Sequence, residues 1–247
     1  MRTLPKFLAS LALAALPFAA SADEATVAVA ANFAPTAEKL AAAFDKASGD
    51  KITIVSGATG KLYAQVQAGG PFDAFLSADT KTPAKMVEEK LAVKDSLFTY
   101  ATGQLALWTM KDKADLSDPK AALTNATHIA IANPELAPYG KAGMETLEKL
   151  GLTDAVKDKI VTGENIAQTQ TMVASGAAEM GFVAASALAG KNEGTSWIVP
   201  GDMHKPLTQD AVLLEHGKDN KAAKGFLDYL KGDEAKAEIT AAGYAVK

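Results

Sequence analysis

Cysteine is absent from this chain of 247 residues, and histidine occurs only three times. Without cysteine there are no disulfides, thiolate metal sites or cysteine nucleophiles, so an ordinary hydrophobic core must hold the fold. The histidines, His128, His204 and His216, lack the spacing typical of a metal site or a catalytic triad. Each is better interpreted as a solvated or structural side chain.

Apolar runs long enough to span a membrane are also missing. Residues 1–22 have the pattern of a secretory signal peptide, and the only competing interpretation is a membrane anchor. The basic start, apolar run and small-residue cleavage site are Arg2 and Lys6, Phe7 to Phe18, and Ala20 to Ala22. Because this run is too short to cross a bilayer, we expect export, cleavage and a periplasmic mature protein.

Positive charge is in deficit. The formal net charge is −4, from 25 basic and 29 acidic residues, and loss of Arg2 and Lys6 with the leader lowers it to −6. An acidic surface argues against nucleic acid or an anionic membrane as a partner. It leaves a buried anion site open, because local backbone dipoles matter more there than net charge.

Helix-period segments alternate with short apolar runs along the whole chain, a pattern typical of an α/β fold with mostly parallel sheets. About 225 mature residues exceed one ordinary core but suit two lobes. We therefore expect a doubly wound α/β architecture.

Five segments share one pattern: an apolar run, a small or polar turn, and the start of a helix. They are 27–35, 54–61, 129–140, 163–166 and 181–184. Each junction directs unpaired backbone N–H groups and the positive end of a helix dipole towards one place. Several of them converging at the carboxyl ends of parallel strands would form an anion site.

Parts of the chain also match other sequence motifs. The segment 57–61 is glycine-rich and ends in lysine, but Val55 and Leu62 stand where a nucleotide phosphate loop needs glycine and a hydroxyl residue. Residues 48–51 have the Ser-x-x-Lys spacing of penicillin-binding enzymes without their companion motifs, which favours a loop. Asn32, Thr59 and Asn165 suit helix caps as well as they suit anion donors.

The residues also resemble a known family, the periplasmic molybdate-binding proteins of ABC uptake systems. The similar segments are Val-Ala-Ala-Asn-Phe near the mature start, Ser-Gly-Ala-Thr-Gly-Lys-Leu-Tyr-Ala-Gln, Gly-Gly-Pro-Phe-Asp-Ala-Phe-Leu-Ser-Ala-Asp, Ala-Asn-Pro-Glu-Leu-Ala-Pro-Tyr-Gly and Gly-Glu-Asn-Ile. The resemblance covers nearly all of residues 24–247, and its most specific block is 72–79.

The resemblance implies a type II periplasmic binding protein fold, with two doubly wound lobes joined by two crossing strands. We expect lobe 1 to comprise residues 23–103 and 213–247, and lobe 2 residues 104–212, with crossings near 103–104 and 211–213. The implied partners are molybdate or tungstate and the membrane subunit of an ABC permease, with no cofactor and a monomeric chain. The implied oxyanion contacts are Ala31, Asn32, Thr59, Tyr139 and Ile166, those of Tyr139 and Ile166 being mainly backbone N–H groups.

One departure from the family pattern concerns Ala184, where several members have a tyrosine that touches the anion. We expect that contact to be lost and Tyr139 to compensate from the opposite wall. Phe33 and Asp79 are expected to pack and cap rather than bind.

The implied ligand set suits a fully deprotonated dianion, since it offers donors and no carboxylate acceptor. A phosphate site would be expected to include an Asp or Glu that accepts the phosphate proton. Sulfate differs from molybdate only in size, so a sulfate-binding or phosphate-binding protein stays open as the alternative. An exported enzyme on the same fold is a further alternative, but no nucleophile with an adjacent base and no paired catalytic carboxylates are found in the sequence.

Overall fold

Two five-stranded sheets with helices packed against them make up the structure, a computed structural model that describes residues 22–246. The leader pattern at residues 1–22 lies, apart from Ala22, outside the described residues. The predicted α/β class is confirmed. Within residues 22–246 none of the helices is both long and apolar enough to cross a membrane.

The first sheet has the strand order β2-β1-β3-β10-β4, numbering elements along the chain. Its strands are β1 (Glu24–Ala30), β2 (Lys51–Gly57), β3 (Ala74–Leu76), β4 (Phe98–Gly103) and β10 (Leu207–Leu213). Its helices are α1 (Ala34–Ser48), α2 (Thr59–Gln67), α3 (Lys81–Glu88), α8 (Lys221–Tyr229) and α9 (Asp233–Ala241), with a 3-10 turn at Lys94–Ser96. We call this unit lobe 1.

The second sheet has the order β7-β6-β8-β5-β9 and forms lobe 2. Its strands are β5 (Leu105–Thr109), β6 (Ile129–Ala132), β7 (Ile160–Gly163), β8 (Met180–Ala184) and β9 (Thr195–Ile198). Its helices are α4 (Pro119–Asn125), α5 (Pro138–Lys149), α6 (Thr153–Val156) and α7 (Ile166–Ala174), with 3-10 turns at Lys157–Lys159 and Ala185–Leu188.

One strand in each sheet runs against the other four, namely β10 in lobe 1 and β5 in lobe 2. Both are the first strand after the chain has crossed from the other lobe. A strand that enters a sheet from the cleft side must run opposite to strands whose carboxyl ends face the cleft. The reversed strands therefore mark where the two lobes are joined.

The first crossing agrees with the expected position, because β4 ends at Gly103 and β5 begins at Leu105. The second crossing does not. Leu207 already pairs with Gly103 in the first sheet, whereas the Val199 N–H still bonds to the Leu105 carbonyl in the second. The boundary expected at 212/213 is thus wrong by several residues, and the chain crosses between 199 and 207. The division into two lobes stays a proposal with this corrected boundary.

Each lobe has its own core, built on strands that are apolar on both faces. All four residues of β6 are buried, as are the last four of β1. In lobe 1, α1 packs Leu40 and Phe44 inward, and the Phe44 ring lies 5.7 Å from that of Phe226 on α8. At the cleft, lobe 1 residues at the carboxyl ends of the strands pack against the core of lobe 2, namely Ala30, Ala31, Ala58 and Ala78.

Candidate functional site

The five residues expected to bind an oxyanion line one cavity between the lobes. Ala31, Asn32 and Thr59 come from lobe 1, and Tyr139 and Ile166 from lobe 2. Every one of them follows the carboxyl end of a parallel strand, at β1, β2, β6 or β7. The structure thus brings together residues that are up to 135 positions apart in the sequence. Their contact with a ligand stays a prediction.

Three helices begin at this cavity. Thr59 and Ile166 are the first residues of α2 and α7, and Tyr139 is the second residue of α5. The first N–H groups of a helix have no partner inside it. Across residues 22–246 we find no other acceptor for the backbone N–H groups of these three residues. Three helix dipoles and three available donors therefore meet at one place.

Thr59 adds a hydroxyl group to these backbone donors. Its side chain is buried, and its Oγ1 accepts a hydrogen bond from the Ala78 N–H at 3.2 Å. Because the oxygen already accepts a bond, its own hydrogen is available to donate. The side chain does not cap α2, whose N-cap is Ala58. The structure thus excludes the capping role for Thr59, and its role as an anion donor stays a prediction.

Ala31 and Asn32 use several of their donors within the protein. The Ala31 N–H donates to the Gly57 carbonyl at 2.9 Å, so Ala31 forms wall rather than a donor. The Asn32 side-chain Nδ2 donates to Gln209 Oε1 at 2.8 Å and to the Tyr244 hydroxyl at 3.2 Å. Both amide hydrogens are used within the protein. Any bond from Asn32 to an anion would come from its backbone N–H.

The Tyr139 hydroxyl is bonded away from the cavity, contrary to the expectation that it contacts the anion. Its hydroxyl accepts from Gln209 Nε2 at 3.4 Å and lies against Gly103 in the first crossing. Desolvation by burial raises the pKa of this phenol well above its usual range, so the hydroxyl stays protonated. Tyr139 therefore does not replace the tyrosine missing at Ala184, although its backbone N–H remains at the cavity.

Three neighbouring residues have structural roles. Asn165 caps α7, since its Oδ1 accepts from the N–H groups of Ala167 and Gln168, each at 3.0 Å. Asp79 Oδ1 accepts from the Thr82 N–H at 2.8 Å near the start of α3. The buried Phe33 ring packs edge-on against Tyr100, with 4.7 Å between ring centroids. The scaffold roles expected for Phe33 and Asp79 are confirmed.

The cavity wall is uncharged. Among the described residues that line it there is no Asp, Glu, Lys, Arg or His. It encloses about 10 Å³, close to the smallest space that holds one water molecule. A tetrahedral oxyanion needs more room, so its walls must separate slightly to admit it. Every wall would then touch the anion, which makes the fit sensitive to anion size.

Two contacts join the lobes over the cavity. The Gly60 N–H donates to the Leu136 carbonyl at 2.9 Å, and Lys61 Nζ lies 3.2 Å from Glu164 Oε2. A Cβ atom on Gly60 would lie only 3.2 Å from the Leu136 Cα, so glycine permits this close approach. The structure is therefore a closed arrangement of the two lobes.

The competing motif at residues 48–51 is a loop. The Ser48 hydroxyl donates to the Phe44 carbonyl at 2.8 Å, and Lys51 pairs with Asp45 at 2.9 Å. Serine and lysine therefore face different partners rather than each other. The sequence interpretation missed Gln209, whose only signal was a lone amide in an otherwise mostly apolar strand.

Comparisons with known proteins agree with this geometry. Residues 25–245 match the family described as bacterial extracellular solute-binding protein. The molybdate-binding protein ModA of Azotobacter vinelandii is 45% identical over 250 residues, covering 99% of each chain. ModA of Rhodobacter capsulatus is 46% identical over 234 residues, covering 94% of this chain and 92% of that one.

Solved structures give the same picture. The periplasmic molybdate-binding protein of Azotobacter vinelandii superposes with a TM-score of 0.86 at 38% identity, covering 90% of this chain and 99% of that one. The sulfate-binding protein SubI of Mycobacterium tuberculosis superposes with a TM-score of 0.70 at 12% identity, covering 90% and 86%. The second likeness concerns the fold alone, so the fold by itself does not choose the anion.

Proposed function

We propose, from the premise that this chain belongs to the bacterial extracellular solute-binding proteins, that it captures molybdate in the interlobe cavity for uptake by an ABC transporter. Tungstate, which has the same charge and shape, is the expected second ligand. The near full-length relatives named as molybdate-binding support this assignment. Both are named as binding proteins, and we infer a binding role rather than a catalytic one for this chain.

The observation that carries the proposal is the donor set at the cavity. The backbone N–H groups of Thr59, Tyr139 and Ile166 and the hydroxyl of Thr59 offer hydrogens, and the lining contains no charged side chain. A dianion without protons needs donors only. Several neutral, preorganised dipoles share the stabilisation of the anion's negative charge, which permits later release to a permease.

Phosphate fits this lining poorly. A phosphate that keeps a proton at neutral pH requires an acceptor, and none of the described lining residues carries a carboxylate. Sulfate remains the second candidate, because its charge and hydrogen-bonding needs equal those of molybdate. Only the size of the cavity separates the two, which is why the test below compares them directly.

The proposed function includes three further features of the full-length chain. Residues 1–22 direct export to the periplasm, the mature chain acts as a monomer, and the loaded, closed form docks on the membrane subunit of the permease. No cofactor is needed, because the step is binding and release. The relative solved from Azotobacter vinelandii is itself described as periplasmic, which supports the compartment.

Thermal unfolding with a panel of oxyanions tests the proposal. A ligand that binds only the folded form adds RT ln(1 + [L]/Kd), or about 4 kcal/mol at about 1,000 times its Kd. For a chain of this size each kcal/mol raises the melting temperature by about 2–4 °C. We expect a rise of roughly 8–16 °C with molybdate or tungstate, and little change with sulfate or phosphate in large excess.

Calorimetric titration gives the matching affinities. A larger shift from sulfate or phosphate than from molybdate would reject molybdate as the ligand and leave the two-lobed binding protein intact. Hydrolysis of a chromogenic ester or phosphate would instead revive the enzyme interpretation.

A further inference from the structure

A buried group of hydrogen-bonded side chains lies beside the cavity, at the junction of the lobes. Its centre is Gln209 on β10, which is fully buried. Gln209 Oε1 accepts from Asn32 Nδ2 at 2.8 Å. It also lies 3.1 Å from the Tyr100 hydroxyl, whose single hydrogen is shared with the Ser77 carbonyl at 2.9 Å. Its Nε2 donates to the Tyr139 hydroxyl at 3.4 Å. One amide thus contacts a cavity residue from each lobe.

The position of Gln209 along the chain makes this contact specific to the joint. It lies two residues after Leu207, where β10 enters the first sheet, and the pairing of β10 with β4 shifts register between Gln209 and Asp210. The other crossing passes directly beside it. A Cβ atom on Gly103 would lie 1.9 Å from the Tyr139 hydroxyl and 2.8 Å from Gln209 Nε2. Glycine at 103 is what lets both side chains meet there.

The bonds around Gln209 are neutral and secluded from water. Desolvation raises the pKa of the Tyr100 and Tyr139 phenols well above the usual range, so both hydroxyls stay protonated. In such a dry environment an unmade bond is costly, and the whole group must be satisfied together. Separation of the lobes breaks the Gln209–Tyr139 bond but leaves the bonds from Asn32 and Tyr100 intact, because these lie within lobe 1.

We propose that Gln209 is a positioning residue that couples the two walls of the anion site. This inference rests on the proposed function. Gln209 holds Asn32 in lobe 1 and, on closure, binds the hydroxyl of Tyr139 at the start of α5. The Tyr139 side chain lies on the far side of its backbone from the anion. The bond to its hydroxyl thereby fixes the Tyr139 backbone N–H at the cavity. The affinity for the anion therefore depends on a hydroxyl that does not touch it.

Two tyrosine-to-phenylalanine substitutions form a matched pair for the test. Tyr139→Phe removes a bond between the lobes, and Tyr100→Phe removes bonds to the same Gln209 and to the Ser77 carbonyl within lobe 1. We expect Tyr139→Phe to raise the Kd for molybdate by about 2- to 12-fold, the range of one neutral hydrogen bond, mainly through faster dissociation. Tyr100→Phe should lower the melting temperature and change the Kd less than about 2-fold.

Gln209→Leu completes the cycle. If the Tyr139 hydroxyl acts through Gln209, adding Tyr139→Phe to Gln209→Leu should cause no further loss of affinity. If the hydroxyl touches the anion directly, the two losses should multiply, and that result overturns the inference. Equal Kd values for Tyr139→Phe and wild type, or equal losses for Tyr139→Phe and Tyr100→Phe, overturn it as well. Should Gln209→Leu fail to fold, the matched tyrosine pair decides alone.

Hydrogen exchange without ligand separates this inference from the proposed function. We expect residues 199–208 to lose protection in Tyr139→Phe but not in Tyr100→Phe, whichever anion the wild type prefers. A wild type that binds no oxyanion rejects the proposed function, while exchange at the crossing still decides on Gln209. Equal protection in the two variants rejects the coupling even when wild type binds molybdate.

Discussion

Replacement of Thr59 by valine separates the donor role of its hydroxyl from the shape of its side chain. Thr59 is the first residue of α2, with 2% of its surface exposed, and valine has nearly the same volume. The hydroxyl accepts from the Ala78 N–H at 3.2 Å and has its hydrogen free for the anion. Valine removes both bonds, whereas serine keeps both.

Two energies change in this experiment. A hydrogen bond to a charged group is worth about 1.5–3 kcal/mol, so Thr59→Val should raise the Kd for molybdate by about 10- to 150-fold. The buried Ala78 N–H loses its partner, which costs about 1–3 kcal/mol of unfolding free energy. Thr59→Ala should lose the same stability, because alanine also leaves the Ala78 N–H without its partner.

Isothermal titration and urea unfolding measure the two quantities separately. We expect Thr59→Ser to stay close to wild type in both and Thr59→Val to lose both. The reasoning about the anion is refuted if Thr59→Val binds molybdate as tightly as wild type while its stability falls. The hydroxyl would then serve Ala78 alone.

Three further predictions concern closure and pH. Lys61→Glu or Glu164→Lys places like charges at the exposed ion pair over the cavity and should speed anion dissociation by a few-fold at low salt. The double reversal should restore the wild-type rate. Stopped-flow dissociation rates that change with neither the charges nor the salt concentration contradict this. Gly60→Ala should weaken binding with little loss of stability, because its Cβ meets Leu136 and holds the lobes apart, and an unchanged titration and scattering profile would count against it. Burial raises the pKa of Tyr244 to about 12 from 10.0, so the folded state keeps a proton that the unfolded state loses. The contribution of Tyr244 is full below pH 10 and is lost at about 1.4 kcal/mol per pH unit towards pH 12. Tyr100 and Tyr139, whose pKa values burial also raises, add to the fall. Tyr244→Phe should lessen the slope in urea unfolding by its own share, and an equally steep slope opposes the assignment.

Local signals in the sequence explain why the junctions could be predicted. Proline lies in the first turn of both α1 and α5, where its missing N–H costs nothing. The strands before these turns are short, apolar runs, and α7 begins at Ile166 as expected. Parallel strands bring such turns to one edge of a sheet. Position relative to a strand end was therefore enough to gather Asn32, Thr59 and Asn165 at one cavity, and the family resemblance added Ile166.

The position of the second crossing was predicted wrongly because no local sequence signal marks it. After Leu207, β10 has three polar residues in succession, at 208–210, and only residues 210–214 stood out in the sequence as a strand. The partners that surround the buried Gln209 are distant in the sequence: Asn32 lies 177 positions away and Tyr139 lies 70 positions away. No window of neighbouring residues contains that information.

The same limit applies to the side chains at the site. Asn32 and Tyr139, expected as oxyanion contacts, both line the cavity, but their side chains are hydrogen-bonded at the joint between the lobes. In the proposed site the donors are backbone N–H groups and the Thr59 hydroxyl, while the side chains of Asn32 and Tyr139 hold the walls in place. Gly103 belongs to this second layer, because any side chain there would collide with the Tyr139 hydroxyl. It follows that Tyr139, Gln209 and Gly103 constrain one another, and a change at one of them alters the donors that an anion meets without changing any atom in contact with it.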